Sequence, residues 1–313
     1  MARKKKGDHI SGWINLDKPY GMTSTQAIGK VRRILNSQKI GHAGTLDPLA
    51  TGVLPIAVGE ATKTISFAQD DIKTYHFTIQ WGEQRDTDDM EGKVIATSDH
   101  RPIAEDITAL LGQYTGEIQQ TPPNFSAIKI NGERAYDIAR DGNIPELKPR
   151  TVYIEELELL EARKDDADFT MICGKGTYVR SLARDIGNDL GTKGFISALR
   201  REKVGNFTAK DAISLDILSD MDYLSARSEY LLPLQIVLDD IPALDLKEEE
   251  TARIRNGQAL SFVSRPDFER LTKVGLGSKE STIALATHDG APVALIEQTR
   301  ADVKPVRVFN LTK

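Results

Sequence analysis

Residues 41–60 read GHAGTLDPLATGVLPIAVGE, and the rest of the chain is best understood outward from them. Gly41, Gly44, Gly52 and Gly59 punctuate the stretch, with Pro48 and Pro55 between small and apolar side chains. Such a composition makes a shaped loop followed by a compact apolar segment. Asp47 is its one acid before Glu60. An Asp followed by Pro is a favourable helix N-cap, with proline in the first helical position. The Gly, His and Thr residues ahead of it make a longer loop than a cap requires, and glycine lets backbone approach a ligand closely. The first reading makes Asp47 a cap, the second the carboxylate of a site.

Upstream, Gly12–Pro19 reads as a short strand ended by proline, with a turn at Tyr20-Gly21. Thr23 and Gln26 have capping-box spacing, and Ala27, Ile28, Val31, Ile34 and Leu35 then recur with helical period. Lys30, Arg32 and Arg33 fall off that stripe. Downstream, KTYHFTIQWG (73–82) places Tyr75, Phe77, Ile79 and Trp81 on one face of a strand. An acidic turn (85–92), a strand at 93–97 and a helix at about 103–111 follow. Residues 121–150 are loop-rich, with a turn expected at Asn131-Gly132. Strands are predicted at 153–162 and 168–173. Val179, Leu182, Ile186 and Leu190 then mark a helix that Gly191 would stop. Residues 214–236 read as two helical pieces broken near Pro233. From about 240, short β-type runs at 260–263, 282–286, 292–296 and 306–309 indicate a small β-rich domain. There is no internal repeat, and helices and strands do not alternate regularly. That pattern is α+β: a mixed, mainly antiparallel sheet with flanking helices. The division is 1–239, opened by a basic, flexible tail at 1–10, and 240–313.

The chain has 313 residues and a net charge of −5, with 40% hydrophobic and 28% charged residues, an ordinary globular composition. Its single cysteine, Cys173, excludes an internal disulfide and a cysteine-based zinc site, and a reducing, cytoplasmic setting is expected. No run approaches a membrane span, and MARKKKGDHISGW lacks the apolar centre of a signal peptide. Charge is uneven. Residues 1–66 carry 10 Lys/Arg against 4 Asp/Glu, residues 174–210 carry 8 against 3, and residues 240–313 carry 11 against 11. Two basic blocks can serve a polyanion or simply be two solvated surfaces. Several chemistries are excluded. GKGTYVR lacks the spacing of a nucleotide-binding phosphate loop, and no Gly-x-Ser-x-Gly elbow occurs. The histidines at 9, 42, 76, 100 and 288 form no metal pair. The turn Asp86, Asp88, Asp89, Glu91 begins like a calcium loop, but Thr97 stands where the bidentate carboxylate belongs.

The run GHAGTLDPLATGVLPIAVGEATK resembles the central motif of the TruB-type tRNA pseudouridine synthases. LDKPYGMTS (16–24) resembles their lysine–proline motif, Lys73-Thr74-Tyr75 their tyrosine motif, and Gly82–Thr87 has GERTDT-like spacing. GTYVRSL (176–182) resembles the arginine motif and ALRR (198–201) the late leucine motif. The likeness covers residues 12 to about 205 in the family's order. Ala43 departs from it, standing where Thr is frequent.

The resemblance implies a pseudouridine-synthase-like fold and isomerisation of the T-loop uridine of tRNA, position 55 in tRNA numbering. The reaction is redox neutral and calls for no cofactor and no metal. By the resemblance Asp47 is the catalytic carboxylate, Arg180 its cationic partner, and Tyr75 the ring that stacks on the extruded base. Read alone, Arg180 could pair with Asp185 or solvent, Tyr75 could be a core tyrosine, and Leu199 a helix-core leucine. The resemblance makes Leu199 the apolar wall opposite Tyr75, places Tyr178 in the substrate site, and has His42 fill the stack that the base vacates. Lys18 supports the site behind Pro19. Lys30, Arg32, Arg33, Lys39, Arg184, Arg200, Arg201 and Lys203 become the expected phosphate contacts, and residues 240–313 take the place of a PUA-like RNA-binding domain. A monomer acting on the tRNA T stem-loop, with no membrane and no obligate protein partner, is expected. A catalytically silent RNA binder would not need Asp47; a metal-dependent phosphoesterase built on the acidic turn would lose its activity to EDTA.

Overall fold

The computed structural model describes residues 7–126, 128–130, 132–141, 143 and 145–311. Most of the expected basic tail, and Asn131 of the expected turn, lie outside the described residues. From Asp8 onward the chain is tied down: the Asp8 amide donates to the Asn36 carbonyl at 2.7 Å, and Ile10 is buried.

The chain opens with strand β1 (Gly12–Lys18), helix α1 (Ser24–Ile34) and strands β2 (Ile40–His42) and β3 (Ala50–Val58). Thr23 and Gln26 form the capping box that their spacing predicts. β3, ATGVLPIAV, is apolar on both faces and buried on both, as a central strand must be. A 3-10 turn leads to α2 (Ile65–Asp70), then β4 (Lys73–Trp81), whose odd positions are buried. The hairpin β5 (Glu83–Arg85) and β6 (Val94–Thr97) encloses the acidic turn. After it come α3 (Ala104–Leu111), β7 (Gly116–Gln120), the two-residue strands β8 (Lys129–Ile130) and β9 (Glu133–Arg134), and α4 (Ala135–Arg140). β10 (Arg150–Ala162) and β11 (Asp166–Cys173) precede α5 (Val179–Asp189), which Gly191 ends at φ +70°. β12 (Gly194–Val204), β13 (Phe207–Thr208) and β14 (Ile213–Ser214) complete a ten-stranded sheet. Its order is β14-β1-β3-β12-β4-β11-β10-β7, with β2 on β3 and β13 on β12. Only the β1–β14 and β3–β12 pairs are parallel, so the sheet is mixed and mainly antiparallel.

Leu199 lies in β12, not in a helix as its plain reading had it. Residues 214–236 differ from expectation too. The helices α6 (Leu215–Asp220) and α7 (Tyr223–Tyr230) part at Met221 and Asp222, and Asp222 caps the second of them. Pro233 instead opens a 3-10 turn at Leu234–Val237.

A second, five-stranded sheet joins β15 (Ala243–Asp245), β17 (Thr282–His288), β18 (Ala291–Thr299), β19 (Asp302–Val308) and β16 (Leu260–Ser261) in that order. Two helices, α8 (Glu248–Arg255) and α9 (Arg265–Lys273), pack on it. Sequence reading missed both, because their buried stripes are thin: Thr251 and Ile254 in one, Leu271 in the other. This sheet has its own core around Leu244, Ile254, Leu271 and Val293. A shared cluster of Trp13, Phe207, Leu234, Leu285, Leu295 and Phe309 joins it to the larger sheet. Lys63 Nζ adds a bond to the Val308 carbonyl at 2.6 Å, and the Asn310 amide one to Glu60 Oε2 at 2.7 Å.

The register of the large sheet carries one consequence for function. Lys18 pairs with Gly52, Gly52 with Arg201, Arg201 with Tyr75, and Tyr75 with Met171. Directly paired residues share a face, so residues far apart in sequence form one row across five strands. Gly52 permits the crossing. It sits at φ +100°, and a Cβ there would lie 2.2 Å from the Arg201 carbonyl oxygen. Gly52→Ala is therefore expected to cost about 3 kcal/mol or more of stability, from the backbone conformation and the clash together. Urea unfolding measures this; a change under about 0.5 kcal/mol would mean that β3 and β12 separate without strain.

Candidate active site

Asp47 sits in the loop between β2 and β3. It caps no helix: the next regular element is β3, and the loop closes by a turn in which the Ala50 amide donates to the Asp47 carbonyl at 3.1 Å. The loop is held on both sides of Asp47. Ahead of it, the Ser24 hydroxyl donates to the Leu46 carbonyl and accepts from the Leu46 amide, each at 2.9 Å. Behind it, Lys18 Nζ donates to the carbonyls of Pro19, Met22 and Pro48 at 2.9, 2.7 and 3.3 Å. Lys18 has no exposed surface. Burial pushes its ammonium down to about 8, against the opposing pull of Asp47. Its three carbonyl partners make it a strut of the loop.

Arg180 stands in the first turn of α5 and is 6% exposed. Its Nε lies 2.9 Å from Asp47 Oδ2 and 3.7 Å from Asp89 Oδ2. Nη1 donates to the Thr87 carbonyl at 2.9 Å and Nη2 to the Phe125 carbonyl at 3.0 Å. The guanidinium is a rigid planar fork, so these contacts fix its plane and direct Nε at Asp47. The Asp47 side chain is 39% exposed where Arg180 is 7%. The pair is thus a buried cation holding a carboxylate that stays open on its other side.

Tyr75 and Arg201 complete the row. Arg201 is 1% exposed; its Nε donates to the Val53 carbonyl at 2.7 Å and Nη2 to the Gly44 carbonyl at 3.1 Å. It pairs across the strands with Tyr75, whose phenol is pushed up mainly by burial and stays protonated near neutrality. Arg201 was expected among the phosphate contacts; its burial rules that out, and its work is to brace the Asp47 loop. Leu199, two residues earlier on the same strand face, pairs with Phe77 and Ala50 and packs into two cores. His42 ends β2. Its Nδ1 is buried with no hydrogen-bond partner among the described residues, and burial lowers its pKa, so the ring is neutral at pH 7.

The other expected contacts divide. Lys30, Arg32, Arg33, Lys39 and Lys203 are exposed. Arg184 is engaged within the protein: Nη1 meets Asp88 Oδ2 at 3.0 Å, Nε meets Asp185 at 2.9 Å and Nη2 the Thr121 carbonyl at 2.9 Å. Arg200 neighbours Arg201, so it points to the opposite face of β12, where it binds both oxygens of Asp17 at 3.0 Å. Tyr178 is half-buried beside Arg180, with its backbone clamped by Gln120. The calcium-like turn serves arginines: Asp88 pairs with Arg184, and Asp89 lies near Arg180. Asp89, Ser24 and Gln120 were not recognised in the sequence as members of the site. The signal for Asp89 was the acidic turn, which fails the calcium pattern at Thr97 and gives no sign that its partner is an arginine.

Comparison with known proteins adds an independent line. Residues 32–179 match the family model described as TruB family pseudouridylate synthase (N terminal domain), and residues 180–239 that of the tRNA pseudouridylate synthase B C-terminal domain. The chain is 50% identical to the tRNA pseudouridine synthase B of Caulobacter vibrioides, over 100% of both chains. It is 48% identical to the protein of that name from Rhodospirillum rubrum, over 99% of this chain and 100% of that one. Among solved structures, a chain in a Cbf5-Nop10-Gar1 complex superposes with a TM-score of 0.69 at 26% identity, covering 96% of this chain and 84% of that one.

The Asp88–Arg184 pair makes a pH-dependent contribution of definite sign. Burial raises the Asp88 carboxyl from 3.8 to about 6. Between those values the folded state binds more protons than the unfolded one, so stability falls as pH rises through that window, by at most about 3 kcal/mol from this group. Urea unfolding at several pH values is expected to show wild type losing stability relative to Asp88→Asn between about pH 4 and 6, and holding level above. A relative stability that rises with pH would mean that Arg184 keeps the carboxylate ionised.

Proposed function

This chain belongs to the TruB family of pseudouridylate synthases, enzymes that isomerise uridine to pseudouridine, and from that premise we propose how its residues act on the T-loop uridine of tRNA. The reaction breaks the glycosidic carbon–nitrogen bond, turns the uracil, and joins carbon 5 to the ribose; the proton lost from carbon 5 is matched by one taken up at the freed N1. Its atoms balance without an oxidant or reductant. Asp47 is the catalytic carboxylate. The observation that carries this reading is the 2.9 Å contact of Asp47 with a buried arginine, combined with the solvent access that Asp47 retains. Arg180 holds the carboxylate in place and offsets its charge as the phosphate-bearing substrate approaches. The open side of Asp47 is where the reacting nucleotide sits, with either the ribose or carbon 6 of uracil in reach of attack.

Tyr75 takes the extruded base on its ring, with Leu199 as the apolar wall. Stacking of this kind is worth roughly 1–3 kcal/mol per base, comparable with the few kcal/mol that flipping costs. A neutral, flat His42 ring suits the gap left in the RNA stack. The exposed cations Lys30, Arg32, Arg33 and Lys39 meet phosphates first, and Tyr178 borders the substrate next to Arg180. Residues 1–239 form the catalytic domain and 240–313 a PUA-like RNA-binding domain; the separate core around Leu244 and Val293 supports that division. A monomer acting without an obligate protein partner is part of the proposal. Among the described residues no helix is long and apolar enough to cross a membrane, and a cytoplasmic setting, where tRNA is found, completes the proposal.

Tritium release from T-arm RNA labelled at carbon 5 of uridine tests the chemistry. In buffer with EDTA, wild type is expected to release tritium, and Asp47→Asn to release none while still binding RNA. Binding without release by both proteins would make the chain a silent RNA binder. The phosphate reading has its own test. Lys30→Gln or Arg33→Gln is expected to weaken RNA binding and to lower the slope of log affinity against log salt by about one unit. The rate at saturating RNA should stay unchanged; an unaltered salt slope would remove α1 from the RNA-facing surface.

A further inference from the structure

Arg180 is held by a segment that lies outside every motif of the family resemblance. Gln120 ends β7, an edge strand of the large sheet, and is 2% exposed. Its side-chain amide pairs with both backbone polar groups of one residue, Tyr178. Nε2 donates to the Tyr178 carbonyl at 3.1 Å, and the Tyr178 amide donates to Oε1 at 2.8 Å. Tyr178 is the N-cap residue of α5 and makes no side-chain cap of its own. The residues after Gln120 continue along the helix. The Thr121 carbonyl accepts from Ser181 Oγ at 2.8 Å and from Arg184 Nη2 at 2.9 Å, and the Phe125 carbonyl accepts from Arg180 Nη2 at 3.0 Å. Between them Pro122 and Pro123 are both buried, and their rings fix φ.

We infer that Gln120 is a positioning residue for the catalytic pair, acting through Tyr178 to set the start of α5 and so the reach of Arg180 to Asp47. Burying a primary amide is costly unless all its bonds are made, and here both ends are matched to a single residue. An edge strand that only needed to pack would be served by an apolar side chain at this position. The amide instead behaves like an added strand neighbour, fixing Tyr178 along and across the sheet edge. Arg180 follows two residues later, and its guanidinium plane is set by the Thr87 and Phe125 carbonyls. A helix start free to slide would carry Nε away from Asp47 while leaving the fold intact. Misplacement of a reacting group by about 1 Å can lower a rate about a hundredfold.

The inference rests on the reading of Asp47 and Arg180 as the working pair, and the test separates the two. Gln120→Met keeps the volume and removes both hydrogen bonds. Gln120→Glu keeps the acceptor for the Tyr178 amide and sets an oxygen against the Tyr178 carbonyl. Each is assayed in the full chain beside Arg180→Lys and the double variant Gln120→Met/Arg180→Lys. The readouts are single-turnover pseudouridine formation at saturating T-arm RNA, RNA affinity, and Tm. Gln120→Met is expected to slow the reaction about 10- to 100-fold, with RNA affinity within about threefold of wild type. Added to Arg180→Lys it should slow the reaction by no more than about twofold further, because residues acting through one contact are not additive. A wild-type rate in Gln120→Met with a crippled Arg180→Lys overturns the inference alone. So does a full additive loss in the double variant, or a rate loss matched by lost RNA affinity. A wild-type rate in Arg180→Lys overturns the reading of the pair and the inference with it. If Gln120→Met does not fold, Gln120→Glu is judged by the same outcomes.

Discussion

Arg180 is the point on which this molecule converges. A guanidinium cannot lose its charge and must place its N–H groups in one plane. At 6% exposure it cannot leave them to water. Its partners come from segments that no local rule would bring together: Asp47 from the β2–β3 loop, Thr87 and Asp89 from the acidic turn, and Phe125 from the chain after β7. Each of those segments is irregular, and each would otherwise have carbonyls or carboxylates to satisfy. Removing the cation would leave buried acceptors facing one another, so the fold and the candidate site share one requirement.

The large sheet supplies the rigid frame beneath. Lys18, Gly52, Arg201 and Tyr75 stand in one row because of pairing register alone, and a slip of one residue would turn half of them to the other face. Arg200 and Asp17, one residue away in their strands, show what the other face looks like: a bidentate surface pair behind the site. Within the row, Lys18 and Arg201 bind carbonyls of the Asp47 loop from beneath. The loop thus rests on two buried cations while its carboxylate meets a third.

Much of this was legible in the sequence, and the boundary between the legible and the hidden is physical. Strand β4 and helix α1 were readable because one face of each meets water and the other does not. Asp47, Tyr75 and Arg180 were readable through the ordered likeness to a family. Arg201 was misread because a charged residue in a basic block gives no local sign of burial; its acceptors are carbonyls of residues 44 and 53, over a hundred residues away. The turn with Asp88 and Asp89 fails the calcium pattern at Thr97, and that its carboxylates face arginines is a tertiary fact. Helices α8 and α9 were lost among the β-type runs around them because so little of their surface is buried.

The distribution of charge follows from the same geometry. The second basic block looked like half of an RNA-binding face, yet Arg180, Arg184, Arg200 and Arg201 are each engaged by carboxylates or carbonyls of the protein itself. Asp47, Asp88 and Asp89 lie close to where the reaction is proposed to occur, and without the arginines they would repel the substrate's phosphates. Internal pairing screens that repulsion over short range, and attraction at long range is proposed to fall to the exposed cations of α1, the turn after it and Lys203. A net charge of −5 is therefore compatible with the proposed RNA binding: the acids at the site are matched locally, and the excess of acid lies in other segments of the chain.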